Sequence, residues 1–217
     1  MIDDRLSGLA LIAGSCGTII TMALHPTGHV SSAEIEPMLH KLIAVHALAI
    51  ACVPVLFLGG LGLRKRIGPQ SQAALSGIVF YTVALVAVMN AAVADGLVTP
   101  RILRQIVASA GSQPTVDGWR MISHYNFYVN QGYAEVYVVA SSVAIFLWSL
   151  AAWRSKSLAG GLAIYGFILG PLAVIGLLSG HLNLDTHGFG AVIFGQAAWF
   201  ITAGVLLGRE YRAHAQP

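Results

Sequence analysis

Six long apolar runs constrain this chain more than anything else in it. They cover residues 6–24, 42–63, 73–94, 132–153, 158–180 and 188–208, and only Glu135 places a charge inside one of them. Each is close to the ~20 residues a helix needs to cross a hydrocarbon layer about 30 Å thick. Strands of a membrane barrel would alternate apolar and polar residues over roughly ten positions; these runs are apolar on every side. The expected fold is therefore an all-α integral membrane protein, a bundle of six transmembrane helices forming one domain over residues 1–217. Composition agrees. Of 217 residues, 56% are hydrophobic and 10% are charged, against roughly 25% charged in soluble domains.

The first run is too long for the 7–15 residue core of a signal peptide, and Asp3 and Asp4 precede it, so it is expected to persist as a helix. Lys and Arg then set the orientation. Arg5, Arg64, Lys65, Arg66, Arg154, Lys156, Arg209 and Arg212 fall on the side of the termini, and Lys41, Arg101, Arg104 and Arg120 on the other. The positive-inside rule puts both termini in the cytoplasm of a bacterial inner membrane. Between helices 3 and 4 lies the longest outer segment. In it, Ile102, Leu103, Ile106 and Val107 alternate with Arg101, Arg104 and Gln105, the pattern of a short amphipathic helix lying on the membrane surface. The net charge of +3 reflects this flanking bias and calls for no nucleic acid.

Chemistry-bearing residues collect on one side. His25, His29, His40, His46, His124, His181 and His187 map to the outer level, and only His214 to the cytoplasmic tail. His46 lies about one turn inside helix 2 and Glu135 at similar depth on helix 4. Ionisable groups at that depth face a bundle interior or a cavity, so these two are the first candidates. Thr18, Thr21, Met22 and His25 share a face of helix 1, as do His124, Tyr128, Gln131 and Glu135 on helix 4. The two stripes are expected to line opposite walls of one cavity.

Imidazole ligates Zn, Cu and Fe. A metal set of His25, His46, His181 and His187 is expected, completed by Glu135 or Asp95, or by Asp185 in the turn between His181 and His187. Methionines nearby, Met22 among them, would favour Cu(I). The other cofactor considered is a single haem b, with His46, His124 and His181 as candidate ligands and Gly180, Gly188 and Gly190 leaving room. The chain has no CxxC, no CxxCH, no His-His pair and no Gly-x-Ser-Gly. Cys16 and Cys52 both fall mid-helix and are read as small apolar residues rather than a disulfide.

The expected function is a histidine-rich outer site that binds a transition metal or haem, for redox chemistry or metal handling. One alternative is a metal-assisted hydrolase or transferase acting on a lipid-like substrate, with Glu135 as general base. The other is a non-enzymatic transporter or accessory subunit in which His46 and Glu135 exchange protons. The expected partners are the bilayer and a small lipophilic substrate or quinone.

Overall fold

The computed structural model describes residues 3–26 and 35–214, with side chains as far as 209. His29 lies outside these residues. Among them there is no strand; the chain is seven α-helices: α1 (Asp4–Leu24), α2 (Ile35–Ile67), α3 (Gln72–Val93), α4 (Thr99–Ala108), α5 (Gln113–Ser155), α6 (Gly160–Leu178) and α7 (Thr186–His214). A π-helical turn, Ala94–Val98, joins α3 to α4 without a break. Six stretches are long and apolar enough to cross a membrane, with the α3–α4 unit, Gln72–Ala108, counting as one. This is a membrane-type helical bundle.

Two helices are much longer than the apolar runs that announce them. α2 begins at Ile35 rather than 42, and α5 at Gln113 rather than 132. Apolarity marks the hydrocarbon layer, not the end of the helix. Backbone hydrogen bonding continues beyond it through residues such as Trp119, His124 and Asn126, which helices accept. The amphipathic helix exists as α4. It carries straight on from α3, Ile102 is buried at 4% exposure, and Arg104 holds Glu36 of α2 through two bonds of 3.1 and 3.0 Å.

Small residues set the packing. In lipid there is no hydrophobic drive between helices, so close approach and dispersion hold them. Gly14 and Gly59 receive Leu56 and Leu11 across the α1–α2 contact, and Gly8 meets Gly204 of α7 backbone to backbone. Trp148 is fully buried, edge-on to Tyr81 at 5.1 Å and stacked on Trp199 at 6.2 Å. Both indole N–H groups donate to helix carbonyls, Trp148 to Ala74 at 3.3 Å and Trp199 to Leu162 at 3.1 Å. This aromatic core fills the end of the bundle where α1 starts and α2 finishes, called here the near end. At the far end the bundle is hollow.

Candidate metal centre

Three side chains converge at the far end. His25 is the first residue after α1, and the helix end is closed by its own N–H bonding to Met22 O. His46 points inward from α2 and is 7% exposed. Asp95 is carried by the π turn. That turn has a local cause in Pro100, buried near the start of α4. Proline has no N–H to offer the carbonyl four residues back, and the helix widens just before it. Such π turns are frequent where a side chain has to be re-aimed. The Ala94 carbonyl accepts the Thr99 N–H and, in addition, Asn126 Nδ2 of α5 at 3.0 Å and Thr99 Oγ1 at 3.2 Å. Gly96, next to Asp95, lies directly against His46; a Cβ there would collide with the His46 Cβ and Cγ.

The geometry is specific. His25 Nε2 and His46 Nε2 each lie 3.2 Å from the same oxygen, Asp95 Oδ2. The imidazole rings meet edge to face, 5.1 Å between centres. On the opposite side of each ring, Nδ1 faces a backbone carbonyl: Leu42 O at 2.8 Å for His46 and Pro26 O at 3.1 Å for His25. A carbonyl only accepts, so each Nδ1 carries a proton. In the neutral form each Nε2 then presents a lone pair to a carboxylate oxygen.

These three residues are the one group of three or more His, Cys, Asp or Glu, among the described residues, with ligand atoms within 4.8 Å of one another. In a tetrahedral site with bonds of 2.0–2.2 Å, ligand atoms stand roughly 3.3–3.6 Å apart. Two of the three separations, His25 to Asp95 and His46 to Asp95 at 3.2 Å each, match that spacing. The Nδ1–H to carbonyl bonds supply the outer partners that metal-bound histidines regularly have. Three protein ligands also leave a coordination position open.

That open side faces a cavity of about 330 Å³, within the range of small-molecule sites. Ala49, Val88, Ala92, Ala134, Phe189 and Ile193 are in its apolar body, and Thr18, Thr21, Asn130 and Gln131 are among its other polar points. Gln131 Nε2 also reaches Leu184 O at 3.4 Å, tying α5 to the turn before α7.

The remaining sequence candidates are distributed differently. All of the helix 1 stripe, Thr18, Thr21, Met22 and His25, lines the cavity; of the helix 4 stripe only Gln131 does. Glu135 is exposed on α5, as are His124, His181 and His187. His181 Nδ1 is within 2.9 Å of Ser179 Oγ. Asp185 reaches the cavity rim, but its carboxylate accepts the N–H groups of His187 and Gly188 and caps α7. His181, His187 and Asp185 are therefore not brought together with His25 and His46. What spacing missed is the rank of Asp95, whose place depends on a π turn that 3.6-residue phase does not register; Pro100 five positions on is the signal for it. Both cysteines are free. No family model matches the chain, and no curated protein or solved structure matches it either.

Proposed function

We propose that this chain is a multi-pass protein of a bacterial inner membrane, with both termini cytoplasmic, that holds one divalent transition-metal ion at the outer ends of its helices. His25 Nε2, His46 Nε2 and Asp95 Oδ2 are its ligands. The observation that carries this is the orientation of the two rings. Each Nδ1 is committed to a carbonyl, and both Nε2 atoms point at one carboxylate oxygen. Three lone pairs so directed repel unless a cation lies among them, either one metal ion or a proton on each ring. Two imidazoles and one carboxylate suit Zn(II) or Fe(II). Haem fits less well, because both rings converge on one carboxylate rather than facing each other across a slot.

An ion with an open position next to a ligand-sized cavity marks a reactive centre rather than a structural staple. Bound there, the ion would polarise a substrate oxygen or activate a water. The chain's own groups would do the rest: the apolar walls exclude bulk water, and Asn130 and Gln131 orient a polar end. The substrate class that suits this cavity is a small, largely apolar molecule with one oxygen function, arriving from the outer face.

The test is elemental analysis of protein purified in mild detergent, with an absorption spectrum from 250 to 700 nm, for the native chain and His46→Ala. One Zn or Fe per chain, lost in the variant, supports the reading. A Soret band lost in the variant would replace the ion by haem. A metal-free native protein after supplementation would leave the cluster a proton-holding site and overturn the metal assignment.

A further inference from the structure

Below the cavity, toward the middle of the bundle, lies a second and smaller chamber of about 40 Å³. Thr18, Ala49, Val88 and Ile193 line both spaces, so the two adjoin. The chamber is lined by Ser15, Tyr81, Tyr137 and Gln196, all but fully buried. Tyr137 donates to Gln196 Oε1 at 2.8 Å, and Gln196 Nε2 donates to Ser141 Oγ at 2.8 Å. Ser15 Oγ and Tyr81 Oη, in contrast, have no hydrogen-bond partner in the protein. Two residues that line the same void thus carry unpartnered hydroxyls, and each buried group left unpaired costs stability.

Size and chemistry decide what fills it. A void needs at least about 10–15 Å³, and two or more polar partners, to hold a water molecule. This one has the room and has two free hydroxyls, with Thr18 next in line. Thr18 Oγ1 donates to Ser15 O at 2.8 Å and keeps its lone pairs free to accept. Ser15, Thr18, Thr21 and His25 recur along α1 three, six and ten positions on, a polar stripe descending about 15 Å from His25. An apolar tail would leave both hydroxyls unpaired, so the chamber is not a lipid slot.

We propose that the inner chamber is a bound-water site, holding one or two molecules on Ser15 Oγ and Tyr81 Oη. Through Thr18 it joins the outer cavity, so that solvent reaches the centre of the bundle from the His–Asp end. The inference does not depend on a metal above it.

Thermal unfolding in one detergent tests it with Ser15→Ala, Tyr81→Phe and the double variant. If water bridges the hydroxyls, each single change lowers Tm by about 2–4 °C, and the double variant loses less than the sum because the bridge is shared. If the chamber is dry, removing an unpaired hydroxyl leaves Tm unchanged or raises it, and the proposal fails. Should a variant not fold, a density map of the native protein at water-resolving resolution decides. A peak within hydrogen-bond distance of both oxygens supports the site, and an empty chamber overturns it.

Discussion

Gly96→Ala tests the centre without touching a ligand. Gly96 follows Asp95 in the π turn and rests against His46, and its added Cβ would overlap the His46 Cβ and Cγ. Both are rigid parts near the backbone, so no flexible chain end can yield. Ordinary contact starts near 3.4 Å, and restoring it moves the turn away from α2 by roughly 1 Å or more, far beyond the ±0.2 Å that metal–ligand bonds tolerate. His46 Nε2 and Asp95 Oδ2, now 3.2 Å apart, would part too far to share an ion. The expected loss is at least ~100-fold in metal affinity, the scale of a 1 Å misplacement in a reactive site. Alanine is intrinsically better than glycine in a helix by roughly 0.5–1 kcal/mol. Gly118→Ala, where nothing lies within 4 Å of the new Cβ, controls for that gain and should leave affinity unchanged. Competition with a chelator of known affinity measures both variants. Native affinity in Gly96→Ala, with the fold intact by circular dichroism, would refute the claim that the π turn and α2 together form the site.

Asp95→Asn keeps the shape but removes the charge; we expect the metal to be lost on purification while helix content is retained, read by elemental analysis and circular dichroism. His181→Ala and His187→Ala should leave the metal content at the native level, since both imidazoles are exposed and apart from the cluster; a loss in either would redraw the ligand set. Asn126→Ala removes the bond from α5 to the Ala94 carbonyl, which keeps the Thr99 N–H and Oγ1, so the expected cost is that of one hydrogen bond, about 0.5–1.5 kcal/mol. Thermal unfolding should show a drop in Tm, with weaker metal binding alongside. Gln196→Leu breaks the bonds to Tyr137 and Ser141. Interhelical polar contacts within membranes average only about 0.6 kcal/mol each, so a loss of about 1 kcal/mol is expected, with the metal unaffected.

Reading the sequence recovers the spans well because one variable decides them: a peptide group in hydrocarbon must bond within its own helix, and only apolar side chains can clothe it there. Depth also singled out His46, the most buried histidine of the cluster. Direction around a helix is harder. Glu135 sits at the right level but on an exposed side of α5, because an apolar run faces lipid and protein with the same residues and leaves no moment to orient it. The turn between His181 and His187 looked like a ligand cluster, yet the Asp185 carboxylate is engaged with the first N–H groups of α7. Asp95 reads naturally as the close of helix 3 when an apolar run ends at 94. In the structure the helix goes on, widened by one π turn, and the carboxylate is swung inward.

The site's location follows from where tight packing stops. Along α1, the glycines in contact with α2 and α7 are Gly8, Gly14 and Gly17, the last of them one turn before Thr21. Beyond them Thr21 holds α2 through Val45 O at 3.3 Å, and from Thr18 to His25 this face of α1 lines the cavity. With no hydrophobic drive between helices in lipid, a hollow end would drift unless polar contacts crossed it. His25, His46 and Asp95 provide that crossing from α1, α2 and the π turn, and Gln131 provides it from α5 to Leu184. The same residues that would grip an ion thus brace the open end, while the glycine-packed near end gives them a rigid base. A binding constellation needs that support to hold its geometry, which is why the cavity sits over a packed aromatic core rather than running through the bundle.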